Sequence, residues 1–95
     1  MATVELATRA VADLERLSRA LSLPGDTRAR LRACLAPLAE FPRLGAPLSG
    51  RWTPLRFVLG PWRWMLIVYE YIESEERVVV VMIQDARTSS AVTSG

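Results

Sequence analysis

Apolar side chains along this chain change their spacing near its midpoint, from helical recurrence before Phe41 to extended runs after Pro54. Thr3 to Leu6 alternates polar and apolar positions, which predicts a short first strand. From Arg9 to Leu21, behind Thr8 as a cap, Val11, Leu14, Leu17 and Leu21 recur at helical spacing and leave Asp13, Glu15, Arg16 and Arg19 for solvent. The LPGD segment ends this helix. Asp26 is placed to cap a second helix, whose stripe of Leu31, Leu35 and Leu38 frays near Pro37 and stops before Pro42. The two helices read as an antiparallel hairpin.

The segment FPRLGAPLSG, from Phe41 to Gly50, is punctuated by Pro and Gly and reads as an ordered turn region. Three strands follow it: Leu55 to Leu59, Trp62 to Ile72 and Val78 to Ile83, the last rich in β-branched residues. Gly60 and Pro61 look like a two-residue hairpin loop, and Glu73 to Glu76 forms an acidic turn. That loop length opposes Leu59 to Trp62, Val58 to Arg63 and Arg56 to Met65, so Arg56 and Arg63 share one side of the sheet. An odd-length second loop brings Asp85 and Arg87 to the same side, whereas a slip of one residue sends them across. The other side then carries Leu55, Phe57, Leu59, Trp62, Trp64, Leu66, Val68, Val80 and Met82, the more continuous apolar set, and packs on the helices. The expected fold class is α+β: a strand, a two-helix hairpin and a three-stranded antiparallel meander, with one sheet face covered by helices. The open face, where Val58, Met65, Ile67 and Tyr69 surround the arginines, calls for a partner.

With 95 residues the chain fits one domain, residues 1–95, with 88–95 expected as a flexible tail. Half the residues are hydrophobic and 23% are charged, as in ordinary globular proteins. The net charge of +2 does not by itself indicate nucleic acid. All twelve basic side chains are Arg, a permanently charged planar fork suited to phosphate or carboxylate. Histidine is absent, which removes the commonest general base and the commonest metal ligand, and no cofactor or metal site is expected. The single cysteine, Cys34, lies beside Leu31 and Leu35 in the helical pattern and is expected to be buried, so neither a disulfide framework nor a zinc site can form within one chain. The start MATVELATRAV lacks the form of a secretory signal, and the longest apolar run, Trp64 to Tyr69, is too short to span a bilayer, so a cytoplasmic protein without membrane contact is expected.

The element order, together with ELATRAVADLERL, LAEFPRLGAPLSG, LRFVLGPWRWMLIVY and VVVVMIQDAR, resembles the RelE/ParE superfamily of bacterial toxins over residues 3 to 87. The resemblance implies the toxin of a type II toxin–antitoxin pair, neutralised by a cognate antitoxin whose extended tail wraps it. The activity expected from it is ribosome-dependent mRNA cleavage, with gyrase poisoning as the alternative. RelE-like members are mRNA interferases, endoribonucleases that cut message on the ribosome and inhibit translation; ParE-like members poison DNA gyrase without nuclease chemistry. An inactive or solitary family member is the third possibility.

On the RelE-like reading, Arg56, Arg63 and Arg87 fall at the positions of the basic residues that bind RNA and stabilise the dianionic phosphorane, Arg63 being the best matched. Two departures stand out. The upstream lysine position is Pro54, and TSSAVTSG after Arg87 offers no proton-transfer group. Arginine is a poor base because its pKa is too high. Asp85 is then the candidate catalytic base beside the three arginines, or else a plain ion-pair partner of Arg63 or Arg87. Tyr69 and Tyr71 are expected to pack or to meet the antitoxin, Trp62 and Trp64 to be core, and Trp52 to be either core or a base-stacking platform.

Overall fold

In the computed structural model, which describes residues 1–88 and 91–93, the chain runs β1 (Thr3–Leu6), α1 (Thr8–Ala20), α2 (Thr27–Leu35), α3 (Pro37–Glu40), β2 (Ala46–Pro47), β3 (Arg56–Leu59), β4 (Met65–Ile72) and β5 (Arg77–Asp85). One five-stranded sheet has the order β1-β5-β4-β3-β2. The β3-β4-β5 meander is antiparallel, and β1 joins its edge parallel to β5. The α+β expectation therefore holds, with one addition: Ala46 and Pro47, within the expected turn, pair with Phe57 and Arg56 as a fifth strand. Pro47 has no amide to offer a further strand, so it suits this edge position.

The helices form where the leucine spacing places them. Ala7 occupies the N-cap position of α1 and Asp26 that of α2, neither with a side-chain cap bond; Asp26 instead accepts a bond from Arg30 Nε at 2.9 Å. Pro37 opens the short α3, where its missing amide costs nothing. Asp13, expected in solvent, is buried, and its Oδ2 accepts the Ile83 amide at 3.1 Å while Arg16 donates to Oδ1. β1 ends at Leu6, opposite Val80, so among the described residues no strand reaches the Ile83 amide on that edge. A carboxylate from α1 satisfies it instead.

The β3–β4 register differs from the expected one. Leu59 opposes Leu66, Val58 opposes Ile67 and Arg56 opposes Tyr69, so β4 begins at Met65 and residues 60–64 form a loop. The Trp62 carbonyl accepts the Met65 amide at 3.0 Å to close it, and Arg63 lies outside the ladder altogether. Pro61, with a fixed φ and no amide, gives the ladder nothing to continue on.

The two faces are also reversed. The helices cover Met65, Ile67, Tyr69, Val78, Val80 and Ile83, while Leu66, Val68 and Met82 point the other way. Met65 to Tyr69 are all buried, so a period of two carries no sign of which parity faces the helices. A register shift at Val68/Tyr69, opposite Val81, then separates Val80 from Met82, which simple alternation assigns to one face. Nor is the second face open. Leu48, Trp52, Leu55 and Phe57 pack over it with Ala91 and Val92, and Val92 donates its amide to Gln84 at 2.8 Å. Within the stretch expected to be a flexible tail, Ala91 and Val92 are thus buried, and residues 89, 90, 94 and 95 lie outside the described residues. No helix is long and apolar enough to cross a membrane among the described residues.

Candidate functional site

The sheet divides the arginines between two places. Arg56 sits opposite Tyr69 on β4, whereas Asp85 sits opposite Met65, four positions along the same strand, or about 13 Å at the usual strand rise. Arg56, Arg63 and Arg87 therefore do not converge, and the expected single arginine face is corrected to two separate clusters.

The first cluster holds the loop before the sheet. Arg56 Nη1 donates to the carbonyls of Gly45 at 2.8 Å and Arg43 at 3.2 Å. The buried Tyr69 hydroxyl donates to the Pro42 carbonyl at 2.7 Å and accepts the Gly45 amide at 2.9 Å. Burial pushes the Tyr69 pKa up, partly offset by the Gly45 amide and the Arg56 charge. A Cβ on Gly45 would lie 2.6 Å from the Phe57 carbonyl oxygen and 2.8 Å from the tyrosine hydroxyl, so only glycine fits. Arg43 pairs with Glu73 at 2.7 Å and lies 5.0 Å over the Tyr71 ring. Tyr69 is thus engaged in packing and hydrogen bonding, and Tyr71 in packing and a cation–π contact.

The second cluster lies at the opposite end of β4. Arg87 forms a two-pronged pair with Asp85, Nε to Oδ1 at 2.9 Å and Nη2 to Oδ2 at 2.8 Å, and its amide also donates to Oδ1. The side-chain bonds from Arg87 hold the Asp85 carboxyl below its usual range, against a smaller desolvation effect, and Asp85 raises Arg87 in turn. Such a carboxylate is a weak proton acceptor at neutral pH. The geometry therefore makes Asp85 the partner of Arg87, the second of its two expected roles. Arg63 is exposed and makes no hydrogen bond or ion pair among the described residues.

Beside Arg63 the Trp62 and Trp64 rings stack at 6.0 Å and 12°, half-buried at the margin of the helix-side core. The Arg87 guanidinium lies 5.0 Å over Trp64 and that of Arg30, from α2, lies 5.9 Å over Trp62. Trp52 packs on the second face with Arg51 at 4.8 Å over its ring. Cys34 is half-buried rather than buried. Among the described residues no group of three His, Cys, Asp or Glu side chains is placed to hold a metal.

A third feature had no sequence counterpart. An apolar groove of about 520 Å³ opens between β1, α1, α2 and α3, lined by Val4, Leu6, Val11, Leu14, Leu31 and Leu35 and rimmed by Arg28 and Arg32. Those leucines read as hairpin core because a stripe that meets a neighbouring helix and one that lines a cleft have the same spacing.

The five-stranded sheet with a parallel edge strand and helices on one side has the fold of the RelE toxin. Solved structures agree. The isolated E. coli RelE toxin matches with a TM-score of 0.67 and 19% identity over 95% of this chain and 89% of that one. A metal-bound toxin from Helicobacter pylori matches with 0.69 and 22% identity over 90% and 94%. A chain of the intact E. coli RelBE toxin–antitoxin complex matches with 0.64 and 18% identity over 93% and 100%. By sequence, the family described as ParE toxin of type II toxin-antitoxin system, parDE, matches residues 4–89, and the chain belongs to that family. No curated protein matches by sequence.

Proposed function

We propose that this toxin arrests growth by binding a protein target, DNA gyrase, without cutting RNA. The observation that carries this reading is the division of the arginines. Arg56 is spent on two loop carbonyls, and both oxygens of Asp85 are held by Arg87. Cleavage by an adjacent 2′-hydroxyl needs a group to take a proton and several cations around one phosphate. Among the described residues this end supplies Arg63 unpaired, Arg87 and Arg30 each already paired with an aspartate, and no carboxylate free to act as a base. Arg63, exposed beside the two indoles, suits a protein contact, since Arg and Trp are the side chains that most often dominate binding energy.

The cognate antitoxin is proposed to occupy the groove between α1, α2 and β1. Its apolar floor and its rim of Arg28 and Arg32 suit an amphipathic segment with acidic flanks. The second reading, ribosome-dependent mRNA cleavage, draws on Arg63 and Arg87 lying at the same end of the sheet. Inducible expression with separate readouts of DNA replication and translation distinguishes the two. Replication arrest with DNA breakage and intact messages is expected; a prompt stop of translation with cut messages overturns the gyrase reading.

A further inference from the structure

The helix that lines the groove is also tied to the arginine end, by a run of contacts that neither activity requires. Asp26 holds Arg30 at 2.9 Å; Arg30 lies over Trp62; Trp62 stacks on Trp64; Arg87 lies over Trp64 and is gripped by Asp85. Two stacked indoles thus carry two guanidiniums, each backed by an aspartate. The run crosses from α2 through the 60–64 loop to the residues following β5. It brings together three segments far apart in sequence, and Arg63 sits between its two indoles in the chain. Each cationic group over an indole is attracted by the negative ring face, and the aspartates fix where that attraction acts.

We infer that Arg30 is a positioning residue for the Arg63–Arg87 end: by holding Trp62 against Trp64 it sets the loop that presents Arg63, so the arginine end responds to the placement of α2. Leu31 and Leu35 of α2 line the groove, and Arg28 and Arg32 rim it, while Arg30 between them reaches the indoles. A partner seated in the groove thereby acts on the arginine end without touching it, provided that a change in α2 is felt at Arg30. The inference rests on the proposed function in one respect, that the Arg63 end meets the target.

The test uses the full-length chain and three variants, R30Q, R30K and D26N. The purified protein gives the far-ultraviolet exciton signal of stacked indoles, and inducer titration in cells gives the dose for half-maximal growth arrest. R30Q is expected to weaken the exciton signal and to raise the half-maximal dose about fivefold, the scale of one lost cation–π contact, with the thermal midpoint lowered by no more than a few degrees. R30K keeps a cation over the ring and is expected to recover part of both. D26N, which removes the carboxylate that holds Arg30 and leaves both indoles in place, is expected to shift both readouts the same way by less. A wild-type exciton signal in R30Q overturns the inference, and so does wild-type potency when that signal falls. If R30Q fails to fold, wild-type behaviour of D26N and R30K in both readouts overturns it. Whether the arrest is of replication or of translation is scored separately, so the target reading can fail while the role of Arg30 stands.

Discussion

Arg56 on β3 and Arg63 in the loop that follows it are the same side chain, and the fold uses them in opposite ways. Arg56 is turned inward along the sheet edge, where two backbone carbonyls take its charge and Tyr69 completes the clamp on the loop from Pro42 to Gly45. Arg63 is left in the loop beyond the ladder, with no bonding partner among the described residues. A guanidinium that satisfies its own protein's carbonyls is a structural cross-link, while one left exposed on an ordered loop is available to another molecule. Sequence position shows the charge; only register shows which of the two it is.

The contrast breaks most severely at Gly45. Gly45→Val places carbon inside the contact distance of Phe57 and Tyr69 and is expected to cost about 3 kcal/mol or more, read from urea unfolding. Tyr69→Phe leaves the Gly45 amide and Pro42 carbonyl without their partner, for about 2 kcal/mol. It also tests the sign of the tyrosine shift. Because burial raises the folded-state pKa, the folded protein keeps the phenol proton longer than the unfolded chain does. Wild-type stability therefore falls as pH rises above the usual tyrosine value near 10, a loss that Tyr69→Phe does not show.

Arg56→Ala comes next, at about 1 kcal/mol of stability, with the kind of growth arrest unchanged. Asp85→Asn sharpens the other side of the comparison. The folded carboxyl is depressed, so its contribution is present above the unfolded value near 3.9 and disappears as pH falls through the lower folded value. The stability difference between wild type and Asp85→Asn is thus expected at neutral pH and absent in acid, and the variant still arrests growth, as an ion-pair partner rather than a base predicts. Arg63→Glu has the smallest structural effect, within about 0.5 kcal/mol, and is expected to abolish toxicity. Loss of stability in Arg63→Glu, or of toxicity in Arg56→Ala with stability intact, would invert the assignment of the two arginines.

Much of the fold was legible from the chain. Leu14, Leu17, Leu31 and Leu35 mark the helices because a helix buries one stripe, and the change to β-branched runs marks the meander. The side of the sheet was not legible, since Met65 to Tyr69 are buried on both faces and the shift opposite Val81 changes parity within β5. Asp13 reads as a solvent position on its own helix; its burial follows from where β1 stops, a fact about another element. At the candidate site the pairing of Asp85 with Arg87 was one of two readings open from sequence. The place of Arg30 was not, because contact between α2 and the 60–64 loop is set by tertiary packing alone.

β1 carries a consequence for how the chain reaches this form. Among the described residues β1 is paired into the sheet by β5 alone, the strand farthest from it in the sequence, and the Asp13 carboxylate meets its amide on that same strand. Closing so long a loop is slow and gains little until the final strand exists. A polypeptide still emerging from the ribosome with β5 inside the exit tunnel therefore lacks the central partner of its core. The parallel edge of the sheet and the helix-side core are thus completed together, when β5 becomes available to fold.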